Sequence, residues 1–180
     1  MRNDISKFVR ECAICQQAKV AHVLLVGLLQ RLPIPQQIWE DIAMDFIVQL
    51  PHSQGFTIIF VVVDQLSKFA YFIPMKSECT SKVVVEAFIT NIVKIHGFPK
   101  TVVLDRDKIF VSSFWQHLFK AQGTTLAMSS SYHPQSDGQI ENLNKTLEIY
   151  LRCFVFEHPK SWVAMLPWLN FGITLLFIKA

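Results

Sequence analysis

The sequence predicts an α/β fold in which a mixed β-sheet carries helices on its faces. Two observations predict this fold. Three short, apolar, strand-like runs follow one another closely, and strand-like and helical patterns then alternate along the chain. Closely linked strands favour antiparallel neighbours, whereas alternation with helices favours parallel pairing. With 180 residues, 51% of them hydrophobic, the chain can form one domain with a substantial core.

The first half of the predicted domain contains three strands and one helix. The strands are predicted at Ile42 to Leu50, Thr57 to Val63 and Phe69 to Ile73. The second of them is rich in β-branched residues, which is typical of a buried central strand. Ser81 to His96 fits a helix because apolar residues recur along one face, and Gly97 followed by Pro99 should end it.

The second half alternates between strands and helices. The predicted elements are a strand at Thr101 to Leu104, a helix at Ser112 to Gln122 and a strand at Thr124 to Met128. A polar loop then leads into a long helix over about Ser136 to Glu157. Ser136 is its candidate N-cap, and Gln139 three residues later completes a capping box. A last apolar helix is expected after Pro159.

The N-terminal segment differs in character from the rest. Residues 1–20 fit a short helix that carries Cys12 and Cys15, and the prolines at 33 and 35 indicate an extended linker before the compact domain starts at Trp39. The four cysteines follow no secretory signal, which favours a reducing compartment without a disulfide framework. The apolar tail from Trp162 to Ile178 contains a proline, an asparagine and a glycine, so no membrane span is expected.

Three carboxylates stand out by their positions. Asp45 lies inside an apolar strand, where a charge is costly unless it is paired or bound to a metal. Asp105 directly follows a strand, and Glu141 lies in the second turn of the long helix. Side chains from strand ends and a helix start can converge at one edge of a sheet, and hard oxygen ligands suit Mg²⁺ or Mn²⁺.

Each carboxylate also has a purely structural interpretation. Asp45 could pair with a buried cation, Asp105 could be an ordinary turn residue, and Glu141 could pair with Lys145 one turn later. The net charge of +3 permits an anionic partner without requiring one. The spacing adds information, because 35 residues lie between Asp105 and Glu141 and 59 between Asp45 and Asp105.

The sequence around these carboxylates resembles the integrases of Ty3/gypsy-type LTR retrotransposons, whose catalytic cores carry a D,D(35)E triad. The matching stretches are Trp39 to Phe46, Val61 to Phe69, Leu104 to Asp107, Tyr132 to Glu141, Leu147 to Phe154 and Leu166 to Trp168. The resemblance covers roughly residues 8 to 170. It implies an RNase H-like fold, a mixed five-stranded sheet flanked by helices, with Asp45 on the first strand, Asp105 after the fourth and Glu141 on the long helix.

The resemblance also implies an activity, namely metal-dependent DNA 3′-end processing and strand transfer by a polynucleotidyl transferase and endonuclease. Asp45, Asp105 and Glu141 would hold two Mg²⁺ or Mn²⁺ ions. The implied partners are retroelement cDNA ends, target DNA and further copies of the chain, in the nucleus after cytoplasmic assembly. Residues expected to contact nucleic acid are Tyr132, His133, Gln135, Lys145 and Arg152, although the last two could equally form a solvated ion-pair face.

The resemblance divides the chain into three parts. Residues 1–22 match a remnant of the family's N-terminal His-His-Cys-Cys zinc module, 23–38 a linker, and 39–180 a catalytic core that is expected to be C-terminally truncated. No histidine precedes Cys12 and Cys15, and a structural zinc site needs four ligands, so bound Zn²⁺ is not expected in this chain. Asp64, Asp107 and Asp137 are not predicted as ligands; Asp64 and Asp137 are expected to be structural.

Two alternatives remain open at this point. The irregular ends favour a catalytically inactive integrase remnant that serves as a nucleic-acid-binding or protein-interaction module. The second alternative is an RNase H-type hydrolase. Such an enzyme would need a further carboxylate on the first long helix, and Glu86 is available there. The His-Pro-Gln loop at residues 133–135 and the 35-residue spacing fit an integrase better.

Overall fold

In the part of the chain that the structure describes, five strands form a single mixed sheet in the order β3-β2-β1-β4-β5. The computed structural model describes residues 2–18, 35–105, 107–128 and 134–169, and for residues 2, 18 and 134–142 it describes the backbone alone. The strands are β1 Asp41–Ile47, β2 Ile58–Asp64, β3 Ala70–Met75, β4 Thr101–Leu104 and β5 Thr125–Met128.

The pairing directions confirm the predicted mixed sheet. β1 pairs antiparallel with β2, and β2 pairs antiparallel with β3, so the first three strands form the expected meander. β4 lies parallel to β1 on its other side, and β5 lies parallel to β4. β1 therefore occupies the centre of the sheet, between the antiparallel half and the parallel half.

The helices are α1 Arg2–Glu11, α2 Ala13–Ala18, α3 Ser81–Phe88, α4 Lys94–His96, α5 Ser113–Ala121 and α6 Pro134–Phe154. A 3₁₀ turn at Pro159–Ser161 leads into a last helix, α7, over residues 162–169. The predicted N-terminal helix is thus two helices, separated at Cys12. Among the described residues, no helix is both long and apolar enough to cross a bilayer.

Several element boundaries differ from the sequence prediction for local reasons. β1 ends at Ile47 rather than Leu50 because Gln49 has a left-handed backbone, with φ of 63°. The helix predicted over 81–96 contains a π-helical turn at Ile89–Val93 between α3 and α4. Gly97, with φ of 83°, ends α4 as predicted, since glycine adopts this conformation without steric cost.

The long helix α6 starts two residues earlier than predicted. It begins at Pro134, a residue type that is well suited to a first helical position because it lacks an N–H to satisfy. Ser136 therefore lies inside the helix, and its prediction as the N-cap was wrong. At the other end α6 stops at Phe154, so Glu157 lies beyond it.

Apolar side chains cover both faces of the sheet. One face packs against α6 and α7; its buried members are Ala43, Ile47, Ile59, Val61, Val63, Ala70, Phe72, Val103, Leu143, Leu147, Leu151, Val155, Trp162, Leu166 and Leu169. The opposite face packs against α3 and α5; its buried members include Ile42, Met44, Phe60, Val62, Val102, Leu104, Val84, Phe88, Trp115 and Phe119. Because side chains alternate along a strand, Asp45 shares the α6 face with Ala43 and Ile47.

Candidate functional site

Two of the predicted carboxylates lie at neighbouring positions at one end of the sheet. Met44 of β1 is paired with Leu104 of β4 in the parallel ladder. Asp45 is the next residue of β1, and Asp105 is the first residue after β4, so the register continued by one step sets them side by side. Neighbouring strands are about 4.8 Å apart. Asp45 is half-buried and Asp105 is exposed, so the pair extends from the sheet edge to the surface.

The Asp45 carboxylate is held by hydrogen bonds at both oxygens. The backbone N–H of Phe46 donates to Oδ1 at 2.7 Å. The side-chain amide of Asn144, on α6, donates from Nδ2 to Oδ2 at 2.6 Å. The second contact joins residues 99 positions apart in sequence and fixes α6 against the end of β1.

Asn144 is the site residue that sequence reasoning missed. Its side chain is only 8% exposed, and its Oδ1 atom is buried without a hydrogen-bond partner among the residues that the structure describes. A signal was present in the sequence, because Asn144 follows Glu141 by three residues and such residues share one side of a helix. An asparagine within a helix carries no chemical prediction, however, until its tertiary partner is known.

The third predicted ligand, Glu141, lies on α6 one turn before Asn144. Its backbone is therefore on the helix that contacts Asp45, while its side chain lies outside the described part of the structure, so its role as a ligand stays a prediction. Within the described residues, no group of three or more histidine, cysteine, aspartate or glutamate side chains could hold a metal ion. The pair formed by Asp45 and Asp105 nevertheless fits a hard divalent cation, because both supply carboxylate oxygens.

The residues predicted to contact nucleic acid are only partly described. Tyr132 and His133 lie outside the described residues, and Gln135 is described by its backbone alone, in the first turn of α6. Lys145 is exposed and directly follows Asn144. Arg152 is exposed and forms an ion pair with Glu148 at 3.7 Å, which is the solvated alternative considered for this residue.

Asp64 is a structural carboxylate, as predicted. It is completely buried at the end of β2. Its Oδ1 accepts the backbone N–H of Trp39 at 2.8 Å, and its Oδ2 accepts the backbone N–H of Ser67 at 2.7 Å together with the Ser67 hydroxyl. These bonds close the β2–β3 turn and anchor the segment that precedes β1.

An aromatic cluster next to Asp64 contains a histidine with a perturbed pKa. The ring of His96 stacks on Trp39 with centroids 4.0 Å apart, and its Nε2 lies 3.0 Å from the Tyr71 hydroxyl. Burial lowers the pKa of His96, and the nearby charge of Asp64 opposes this effect. Burial also raises the pKa of Tyr71. The cluster lies at the opposite end of β1 from Asp45, so it stabilises the fold and does not belong to the carboxylate site.

The two N-terminal cysteines are joined by a third that the zinc hypothesis did not include. Both Cys12 and Cys153, the latter on α6, act on the Cys15 thiol and raise its pKa. Backbone and side-chain hydrogen bonds from Cys15 lower the pKa of Cys12, whereas the bond to Cys12 raises the pKa of Cys15 to about 11. Helix α2 therefore contacts α6 near these cysteines.

A groove of about 450 Å³ lies between α2 and the C-terminal half of α6. Its lining is mainly apolar and includes Ile14, Leu50, Leu151, Val155 and Trp162. Leu151 lies seven residues beyond Asn144, which corresponds to about 10 Å along the helix. The groove is therefore separate from the carboxylate pair.

The protein has an RNase H-like fold. Its mixed sheet has this strand order, with acidic residues at the paired ends of the central parallel strands and a long helix across them. The family model for the integrase core domain matches residues 33–134. The Tf2-3 and Tf2-4 transposon polyproteins of Schizosaccharomyces pombe are each 36% identical to the chain over 163 residues, or 91% of its length. The chain belongs to the integrase core domain family, among the Ty3/gypsy-type retrotransposon members.

The chain spans 12% of the length of these polyproteins. Two solved structures support the fold assignment. A chain of the simian T-cell lymphotropic virus intasome in complex with PP2A regulatory subunit B56 gamma has a TM-score of 0.58 and 19% identity, and the match covers 88% of this chain and 55% of that one. The HTLV-2 integrase catalytic core domain in complex with magnesium, in its dimeric form, has a TM-score of 0.52 and 17% identity over 69% of this chain and 77% of that one.

Proposed function

We propose that this domain catalyses metal-dependent cutting and joining of DNA, that is, 3′-end processing of retroelement cDNA and strand transfer into target DNA. The observation that carries the proposal is the adjacency of Asp45 and Asp105 at the ends of parallel strands, with α6 held against them by Asn144. Family membership supports the same conclusion, because this pair coincides with the first two positions of the family's D,D(35)E triad.

Asp45, Asp105 and Glu141 would hold two Mg²⁺ or Mn²⁺ ions. When bound, such ions neutralise phosphate charge and favour an oxygen nucleophile and an oxygen leaving group in an in-line displacement. Asp45 is orientated at both oxygens and provides the rigid part of the site. Asp105 is exposed beside it, where a phosphodiester can approach from solvent.

The proposed nucleic-acid surface follows the exposed side of α6. Lys145 is an exposed cation one residue after Asn144 and is proposed to contact a DNA phosphate. Tyr132, His133 and Gln135, which precede or begin α6, are proposed to contact DNA close to the same point, and Arg152 to contact it further along the helix. Assembly into dimers or larger complexes on DNA, in the nucleus, is proposed from the integrase relatives.

The test is Mn²⁺-dependent nicking and disintegration of a branched DNA substrate by the purified protein. Asp105→Asn should reduce the activity to background. Asp107→Asn is the matched control, since this neighbouring carboxylate accepts the backbone N–H of Ile109 at 2.8 Å and is not a proposed ligand. A folded wild-type protein without activity, or equal activity in Asp105→Asn, would refute the proposal and favour an inactive module that binds nucleic acid or protein.

A further inference from the structure

An aromatic stack lies on the opposite face of the sheet from Asp45. The rings of Phe46 and Phe110 are nearly parallel, at 10°, and their centroids are 4.8 Å apart. Phe46 directly follows Asp45 on β1, and Phe110 lies five residues after Asp105. We propose that Phe110 is a positioning residue, whose stacking on Phe46 sets the separation of the Asp45 and Asp105 carboxylates and thereby the affinity of the site for a divalent cation. This inference rests on the proposed function and adds a residue to it.

The two carboxylates differ in how firmly the sheet holds their backbones. Asp45 lies inside β1, where it is paired with Val61 of β2 and where the strand continues to Ile47. Asp105 is the first residue beyond the paired part of β4, which ends at Leu104. The course of the chain after Asp105 therefore helps to decide where this carboxylate lies relative to Asp45.

The chain beyond β4 folds into a compact turn over residues 107–112. The Asp107 carboxylate accepts the backbone N–H of Ile109 at 2.8 Å, and the Asp107 carbonyl accepts that of Val111 at 3.1 Å. The Ser112 hydroxyl donates to the Ile109 carbonyl at 2.7 Å. All three bonds lie within the turn, so they fix its shape and leave its position against the sheet to other contacts.

Phe110 packs the turn onto the strands. Its side chain is completely buried. Besides Phe46 of β1, it approaches Phe60 of β2, with ring centroids 6.3 Å apart, and Trp115 of α5, with centroids 5.6 Å apart. The ring thus connects the turn to the two strands that fix the first carboxylate, and the second carboxylate lies only two residues before the turn.

A smaller side chain at position 110 should move the turn rather than the strands. Removing ring atoms from a buried site leaves a space that the surroundings fill only in part. β1 is hydrogen-bonded to a strand on each side, so the turn should take up most of the relaxation. A metal site needs its ligands held within about 0.5 Å of their working positions. A small displacement of Asp105 is therefore enough to weaken cation binding.

Phe119 shows how this role differs from ordinary core packing. It is completely buried in the same cluster as Phe110, and its ring stacks on Trp115 with centroids 5.1 Å apart. Phe119 lies on α5, beyond the chain segment that joins β4 to this helix. Loss of either phenylalanine ring should therefore destabilise the fold, but only the loss of Phe110 should displace Asp105.

The test compares Phe110→Leu, the matched control Phe119→Leu and wild-type protein in a Mn²⁺ titration followed by electron paramagnetic resonance, and in thermal unfolding without metal. Both variants should show a similar fall in Tm, because each removes a ring from the same core. At a temperature where all three proteins are folded, the Kd for Mn²⁺ should rise about tenfold in Phe110→Leu and stay within about twofold of the wild-type value in Phe119→Leu.

A Kd for Phe110→Leu within about twofold of the wild-type value overturns the inference. An equal rise in Kd for both variants also overturns it, since the effect would then come from general loosening of the core. If Phe110→Leu does not fold, Phe46→Leu provides the measurement, because it removes the other ring of the stack. Its Kd should also rise about tenfold, and an unchanged Kd overturns the inference.

The two proposals fail differently. Wild-type protein that binds Mn²⁺ no better than Asp105→Asn refutes the proposed function together with the positioning role. Wild-type protein that binds Mn²⁺ through Asp105, with Phe110→Leu binding equally well, refutes the positioning role alone.

Discussion

Asp64 and Asp45 are carboxylates on adjacent strands of one sheet, and the structure predicts opposite consequences for their replacement by asparagine. Asp64 is completely buried and accepts three hydrogen bonds, from Trp39 N–H, Ser67 N–H and the Ser67 hydroxyl. An asparagine side chain at position 64 has a single acceptor oxygen. If this oxygen serves Ser67, its amide nitrogen faces the Trp39 N–H, and a buried donor loses its partner.

The expected cost follows from these contacts. A hydrogen bond to a charged group contributes about 1.5–3 kcal/mol, and a buried donor left unpaired costs about 1–3 kcal/mol. Since the two effects overlap, we expect Asp64→Asn to lower the free energy of unfolding by about 3–4 kcal/mol. For a chain of this size that corresponds to a fall in Tm of roughly 6–16 °C. The site at the other end of β1 should be unaffected, so the folded variant should bind Mn²⁺ like the wild type.

Asp45→Asn should show the reverse pattern. Asn144 can rotate its amide so that Oδ1, which has no partner within the described part of the chain, accepts from the amide that this substitution introduces at position 45. The unfolding free energy should then stay within about 1 kcal/mol of the wild-type value. Mn²⁺ binding should be lost, because a charged oxygen ligand is removed.

Both variants are compared by urea denaturation and by Mn²⁺ titration under identical conditions. The reasoning would be refuted if Asp64→Asn weakened Mn²⁺ binding without a large fall in stability, since Asp64 would then belong to the site. It would also be refuted if Asp45→Asn destabilised the chain as much as Asp64→Asn, since Asp45 would then be a structural residue.

Three further predictions concern regions away from the carboxylates. Trp162→Phe should cost about 2–3 kcal/mol in urea denaturation, because the buried indole donates to the Pro51 carbonyl at 2.6 Å. At pH 8, iodoacetamide should label Cys12 at least about tenfold faster than Cys15, as followed by peptide mass spectrometry, since their pKa values are shifted in opposite directions. His96→Gln should reduce the loss of stability between pH 7 and pH 5, measured as the shift in urea midpoint.

The sign of the His96 effect follows from its lowered pKa. Burial favours the neutral ring in the folded state, so the unfolded chain binds a proton more readily. The stabilisation that neutral His96 provides is complete above the histidine pKa in the unfolded chain, about 6.5. It is lost as the pH falls through the lower pKa of His96 in the folded protein. The His96 argument is contradicted if the stability of His96→Gln depends on pH as steeply as that of the wild type. Equal labelling rates would contradict the argument about Cys12 and Cys15. A loss of less than about 0.5 kcal/mol in unfolding free energy would contradict the argument about Trp162→Phe.

Much of the fold could be predicted because local signals were strong. The β-branched run in β2 and the positive-φ glycine after α4 acted as their residue types predict. The predicted ends of strands and helices were wrong where the conformation of a single residue determined them. Gln49 adopts a left-handed conformation that ends β1 early, and Pro134 starts α6 before the expected cap at Ser136.

The candidate site was predictable only in part. Asp45 could be singled out because a carboxylate within an apolar strand needs a partner, and the register confirms Asp105 as its neighbour. The contacts of Asn144 with Asp45 and of Cys153 with Cys15 depend on how α6 lies across the sheet and against the N-terminal helices. Such long-range placements have no local sequence pattern, so these two residues could not be assigned a role beforehand.

The position of α6 has a consequence for how the protein folds during synthesis. The strands of the described sheet are all complete by residue 128, whereas the helix that covers one face of the sheet begins at residue 134. Until α6 leaves the ribosome, the apolar strand side chains on this face, among them Val61, Val63 and Phe72, lack their cover. A nascent sheet with such a face is prone to aggregate. Docking of α6 therefore ends this exposure and, in the same event, delivers Asn144 to Asp45, so that solubility and assembly of the carboxylate site are reached together.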